Sequence, residues 1–418
     1  MKRYDEYKDS GVEWIGEVPR HWKSCRFKDF MKLSTTASDS IHKIGLENIE
    51  SATGRFIETN TEFEGNGVEF KKDSIVYGKL RPYLQKVWLA EFEGNAVGDF
   101  FVFNAKSNSC PLYIKYLMLS DGFTKEADGS TFGAKMPRVS SDFILTLHFC
   151  LPPIMEQMCI ASYLDKKCSE IDNVISAQQK RIALLQELKQ SVITHAVTKG
   201  LNPNVEMKDS GVEWIGKVPK HWEVMKTSLA FNGIGSGTTP STSKKEFYDD
   251  EGKYWLQTGD LNDGMIFDTS KKVSDVAIKA CNLKFYPKDS VVIAMYGATI
   301  GKVGILGIKT ATNQACCVLP ANKYMVAKYS FYEFLACKPA LLVSAIGGGQ
   351  PNISQDTIRK QKIAVPPYIE QQEIAGYLDK KCASIDSAIS KAQHQVELLQ
   401  EYKQSLITEV VTGKRKVS

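Results

Sequence analysis

Along Pro152–Thr198 the apolar residues Ile160, Leu164, Ile171, Ile175, Ile182, Leu185 and Val192 recur in steps of three and four or their sum, with Glu, Lys and Gln between them. That period predicts a long helix whose narrow apolar stripe is a coiled-coil seam. The pattern returns 214 residues later, over Pro366–Thr412, at Ile374, Leu378, Ile385, Ile389, Val396, Leu399 and Leu406. Each copy follows a Pro-Pro pair, where the preceding segment must end. A helix of about 40 residues reaches on the order of 60 Å. It cannot bury its stripe against itself, and the other copy is the obvious partner.

A second repeat lies upstream of each helix. "KDSGVEWIGEVPRHW" (Lys8–Trp22) returns as "KDSGVEWIGKVPKHW" (Lys208–Trp222). The segments between repeat and helix share a plan but little sequence. Short strand-like runs such as "DSIVYGKL" and "DSVVIAMYG" alternate with Gly, Asn and Asp turn signals, and "LYIKYLML" and "YSFYEFLACK" predict one helix near each end. Just before the long helices, "KMPRVSSD" matches "GQPNISQD" in Pro137/Pro351, Ser140/Ser354 and Asp142/Asp356.

The chain therefore divides into an opening repeat (1-22), a variable domain (23-151), a helix (152-200), a linker with the second opening repeat (201-222), a second variable domain (223-365) and a second helix (366-413). The fold class expected is α+β: two mixed α/β domains joined by two long coiled-coil helices, with a pseudo-twofold internal repeat.

Composition narrows the function. The chain has 418 residues, 43% apolar and 24% charged, as ordinary globular domains do. The net charge of +5 makes any polyanion site local. Ten cysteines without CxxC pairs favour reduced thiols, mostly buried. The opening "MKRYDEYKDS" is polar, and no apolar run approaches membrane-spanning length, so a cytoplasmic protein without a membrane partner is expected.

Enzymatic motifs are missing. "GATIGKV" is one residue short of a phosphate-binding loop and has Val303 where Ser or Thr is needed. "GIGSGTTP" lacks a following helix signal and reads as a surface loop. "VPPY" has Val365 where a DNA adenine methyltransferase has an acid or amide, and the six histidines show no metal spacing. No metal site is expected. Trp14, Trp22, Trp214, Trp222, His21 and His221 read as packing residues of the repeated frame.

The order and duplication of these motifs resemble the specificity subunits of type I restriction-modification enzymes over nearly the whole chain. The resemblance also rests on "IGLENIESATGRF", "YGKLRPYLQKV", "YGATIGKVGI", "TNQACCVL" and "QPNIS". It implies a non-catalytic subunit whose two target-recognition domains each read one half of a split double-stranded DNA sequence. The two long helices, antiparallel by this resemblance, then set a fixed, non-specific spacer. Partners implied are two modification (methyltransferase) subunits and the restriction (translocase/nuclease) subunits. This chain binds no cofactor itself; S-adenosylmethionine, ATP and Mg belong to the partners. The alternatives are a coiled-coil protein scaffold without DNA readout and a self-contained DNA methyltransferase.

Candidate DNA contacts follow from residue chemistry. Lys79, Arg81 and Lys86 beside Tyr77 and Tyr83 suit phosphate contact in a loop after a strand. Tyr296, Thr299 and Lys302 are their positional counterparts. Asn313 and Gln314 carry amides able to bond adenine edges, or else start a buried strand. "GAKMPRVS", with Lys135 and Arg138, and "GGGQPNIS", with Gln350, Asn352 and Ser354, read as glycine-rich loops that hug a DNA backbone or position the following helix.

Overall fold

The computed structural model describes residues 3–38, 42–133, 135–343 and 352–417. It forms two compact units, Met1–Lys180 with Gln393–Ser418, and Arg181–Ala392. The first long helix spans Ile154–Lys199 and the second Tyr368–Val411. Each unit thus holds the N-terminal part of one long helix and the C-terminal part of the other. The architecture is mixed helix and sheet, of the α+β class. Among the described residues no helix is long and apolar enough to cross a membrane.

In the first unit the opening repeat is a hairpin, Tyr7–Asp9 against Glu17–Pro19. Gly11 and Gly16 supply its positive φ angles of 71° and 66°, and Asp9 accepts from the Gly11 amide at 2.9 Å. Strand Lys23–Arg26 then pairs antiparallel with His148–Leu151, so the variable domain is closed where it begins and ends. Between these lie two four-stranded sheets. One runs Met31–Ser34, Phe100–Ala105, Ile75–Gly78, Val87–Leu89, and the other Ala37–Ser38, Gly67–Phe70, Gly94–Ala96, Lys43–Ile44. Phe27, Phe30, Phe103 and Phe149 pack the core edge to face, with Phe27 and Phe103 centred 5.1 Å apart.

The second unit repeats the plan. Met207–Asp209 pairs with Lys217–Pro219, and Glu223–Lys226 with Lys362–Val365. They bracket a five-stranded and a four-stranded sheet. "GIGSGTTP", expected as a loop, contributes the edge strand Gly235–Ser236, hydrogen-bonded to Cys317 and Val318. Gly237 then passes so close to the Thr312 carbonyl that a Cβ has no room.

The opening repeat docks on the helix starts in the same way twice. The Trp22 indole is fully buried and donates to Glu156 at 3.2 Å; Trp222 donates to Glu370 at 2.9 Å. His21 lies 2.7 Å from Glu156 and His221 2.9 Å from Glu370. Lys8 and Lys208 each donate to the carbonyl of that tryptophan. Both glutamates sit in the first turn of a long helix, where the helix dipole favours negative charge. The adjacent glutamines face the variable domain: Gln157 accepts from Cys110 and donates to Asn108 and Pro152, and Gln371 accepts from Val326 and donates to Tyr324 and Pro366. The opposite helix ends complete each junction. Gly413 and Gly200, both at positive φ, lie against Trp22 and Trp222.

Along the helices, Lys403 bonds both Asp172 oxygens at 2.8 and 2.9 Å, and Lys189 bonds both Asp386 oxygens at 2.7 Å. These are the same repeat positions in each unit. Of the apolar stripe, Ile160, Leu164, Ile171, Ile175, Ile374, Leu378, Ile385 and Leu406 are buried. Ile182, Leu185, Val192, Ile389, Val396 and Leu399 are half-buried.

One position breaks the repeat. Tyr113 and Tyr329 both reach a helix-end carbonyl, of Val411 and Val197 respectively. One turn on, Leu117 of the first unit is replaced by Glu333, which is fully buried, accepts from the Ala364 amide at 2.8 Å and touches the Tyr329 hydroxyl. Burial pushes its carboxyl up to about 8.

Two expectations follow. Glu156→Ala or Glu370→Ala leaves a buried indole N–H unpaired, a loss of about 1–3 kcal/mol; melting temperature should fall by several degrees, and less for the Gln variants, which keep an acceptor. For Glu333 the folded state binds the proton more tightly than the unfolded chain. Its stabilisation is therefore complete below the unfolded carboxyl range and lost as pH rises through about 8. Glu333→Gln should flatten the decline of melting temperature between about pH 5 and 8.

Candidate nucleic-acid interface

In the first unit the chain leaves strand Ile75–Gly78 and turns through Pro82–Leu84, with Arg81 and Gln85 in left-handed backbone at φ 52° and 49°. Residues 132–133 and 135–138 fold against this turn. The Arg81 amide donates to Pro137 at 2.8 Å, the Val139 amide to Lys79 at 3.1 Å, and Arg138 bridges both Leu80 and Phe132. Two loops distant in sequence thus become one surface. Arg81, Tyr83 and Lys135 are exposed on it, beside Phe132 (62% exposed) and Met136.

Beneath them Asp99 gathers two cations. Arg138 Nε and Nη2 donate to its two oxygens at 3.1 and 2.9 Å, and Lys79 Nζ lies 3.6 Å away, over the Phe101 ring. The hydrogen bonds from Arg138 hold the Asp99 carboxyl below its ordinary range. Lys86 is different. Its ammonium is turned inward, donating to the Leu46 and Ile49 carbonyls at 2.7 and 2.6 Å, and burial lowers its pKa. It pins the "IGLENIE" turn and is not presented to a ligand.

In the second unit Tyr296, Thr299 and Lys302 occupy the turn between strands Val291–Ala294 and Val303–Leu306, all half-buried. The phosphate-loop lookalike at 297–303 therefore runs into a strand, not a helix. Asn313 and Gln314 form the turn before the buried strand Cys316–Leu319. Asn313 is occupied by that turn, accepting from the Ala315 and Gly237 amides, whereas Gln314 is exposed and accepts from the Thr239 hydroxyl. Asn352 is exposed and bridges Tyr296. Ser354 caps helix Gln355–Lys360 by accepting from Thr357, as Ser140 caps Ser141–Thr146 from Phe143. That role keeps the Ser354 oxygen at the helix start. Gln350 lies outside the described residues.

Sequence reading missed Asp99, Phe132 and Met136. Asp99 stood in no motif, and only strand pairing brings it to Arg138. An aromatic beside glycine in "STFGAKMPR" was the available signal for Phe132. Among the described residues no group of three or more His, Cys, Asp or Glu could hold a metal. What the loops offer is cationic, aromatic and amide surface.

Comparison with known proteins agrees with this chemistry. Residues 219–398 match the family model described as the type I restriction modification DNA specificity domain. The chain is 25% identical to the putative type I restriction enzyme MjaX specificity subunit of Methanocaldococcus jannaschii, covering 96% of each protein. It is 24% identical to the MjaVIII specificity subunit of the same organism, covering 96% of this chain and 94% of that one. Among solved structures, a chain from a study of complex assembly and conformational transition of the type I R-M system superimposes with a TM-score of 0.75 at 16% identity, covering 94% of this chain and 98% of that one. The HsdS subunit of Thermoanaerobacter tengcongensis gives 0.54 at 16% identity, covering 95% and 98%. Over nearly its whole length the chain is similar to type I restriction specificity subunits, as its repeated motifs implied.

Arg81→Ala and Lys135→Ala should each weaken duplex DNA binding about equally for all sequences and reduce the slope of log affinity against log salt by about 1, measured by fluorescence anisotropy across a salt series.

Proposed function

We propose that this chain is the non-catalytic, sequence-reading subunit of a type I restriction-modification complex, recognising a bipartite double-stranded DNA target. The observation that carries the reading is one frame built twice around two unlike sets of exposed loops. Each variable domain reads one half-site, and the long helices set the non-specific gap between them. Half-site separation on DNA is a geometric quantity of about 34 Å per turn, so a helical spacer converts residues into base pairs.

The frame also docks partners. Leu184 and Leu188 on the first helix and Leu398 and Tyr402 on the second are exposed apolar pairs at matching repeat positions, one in each unit. Two equal patches suit two copies of a modification subunit, each covering one pair with an apolar helix face. Restriction subunits join that assembly. S-adenosylmethionine, ATP and Mg act on the partners, and this chain contributes the address. The self-contained methyltransferase is disfavoured because Val365-Pro366-Pro367-Tyr368 joins a strand to a long helix as part of the frame. The scaffold reading leaves the cationic loops of the first unit without a purpose.

The deciding experiment is a methylome of cells carrying the modification subunit with and without this gene. A split motif methylated on adenine only when the gene is present is the expected result; no dependent motif, with both proteins expressed and associated, overturns the reading. Inserting one heptad into both helices should change the gap and leave both half-sites intact, and exchanging residues 23–151 for those of another specificity subunit should replace one half-site only.

A further inference from the structure

The two units put different chemistry on one backbone position. In the first, the Lys79 amide donates to the Asp99 carbonyl, and Val139 returns a hydrogen bond to Lys79. In the second, the Met295 amide donates to the Ala315 carbonyl, and Ile353 returns one to Met295. The bridges Leu80 to Arg138 and Tyr296 to Asn352 coincide in the same scheme. Lys79, Asp99 and Arg138 therefore correspond to Met295, Ala315 and Asn352. A charged triad in one unit is a neutral set in the other.

The geometry of the triad is directional. Asp99 takes the Nε and Nη2 side of Arg138 in a two-point grip. This leaves the outer end of the guanidinium, Nη1 and the second Nη2 hydrogen, facing away from the carboxylate on a partly exposed side chain. Two parallel donors held in a fixed plane match the O6 and N7 acceptors of guanine in the major groove. Asn352 is exposed, and Ala315 stands where the first unit has Asp99. Its amide offers one donor and one acceptor, the complement of adenine N6 and N7.

We infer that Arg138 and Asn352 are equivalent base-reading positions of the two units, Arg138 for guanine and Asn352 for adenine, with Asp99 positioning Arg138. The inference rests on the proposed DNA-reading function and adds which residues make the two half-sites differ. Lys79, under the same carboxylate, helps balance its charge, so the grip on Arg138 does not turn the surface acidic towards phosphate.

The test uses the complex of this chain with its modification subunits and a library of duplexes randomised at each half-site. Arg138→Asn and Arg138→Lys should each reduce discrimination at one guanine by about tenfold or more, and leave the other half-site unchanged. Asp99→Asn should reduce discrimination at that same guanine while non-specific affinity and its salt slope are retained. Asn352→Ala should act only on an adenine of the other half-site. A merely structural Asp99 would instead lower melting temperature and affinity for every sequence together, which overturns its positioning role. Unchanged discrimination in the Arg138 variants, or loss at both half-sites, overturns the inference. A wild-type complex that selects no split sequence overturns the underlying function as well, and separates the two failures.

Discussion

A buried indole N–H bonded to a carboxylate in the first turn of a long helix is the contact on which each unit depends. Trp22 with Glu156, and Trp222 with Glu370, join three separate stretches: the opening hairpin, the start of one long helix and the glycine that ends the other. An unpaired N–H at this depth carries its full desolvation penalty, so the docking is close to all or none. Glu156 and Glu370 also receive a histidine from the same hairpin, which concentrates several donors on one acid near a helix N-terminus.

This arrangement explains how the content between the anchors can vary. Hairpins are 200 residues apart and helix starts 214, so the second variable domain is 14 residues longer than the first, yet both latches close with the same tryptophan, histidine and glutamate. The neighbouring Gln157 and Gln371 bond backbone groups only, at Cys110 and Asn108 in one unit and Val326 and Tyr324 in the other. Backbone recognition is indifferent to side-chain identity. A helix that reads its domain in this way tolerates a different loop set without repacking the junction.

The frame was legible in the sequence because it obeys local rules. A stripe at helical period, a Pro-Pro boundary and a duplicated hairpin each announce themselves within a window of a few residues, and the long helices lie where the stripes run. The candidate contacts were less legible because residue type does not reveal where a side chain points. Lys86 looked like Arg81 on paper, but its amine satisfies two inward carbonyls. Ser354 looked like a polar contact and is a helix cap. Asp99 was invisible, since its role depends on a strand register that brings it within reach of a residue 39 positions away.

The departures from the repeat carry more information than the repeat itself. Where Leu117 in one unit gives way to Glu333 in the other, an apolar contact becomes a carboxyl bonded to the Ala364 amide beside the Tyr329 hydroxyl. The Ala364 strand is the one that leads directly into the second long helix. With its proton the carboxyl can act as donor and acceptor at once, satisfying both neighbours; without it, a charge is buried with no ion-pair partner among the described residues. The same comparison between units sets Asp99 against Ala315 at the loop surface. In both places the neighbouring hydrogen bonds are kept, tyrosine hydroxyl to helix-end carbonyl in one and amide to carbonyl in the other, and one acid is added, so the frame bears a local change in charge without a change of path. That tolerance lets a duplicated scaffold hold two unlike surfaces, because each surface is decided by side chains that the shared backbone does not require.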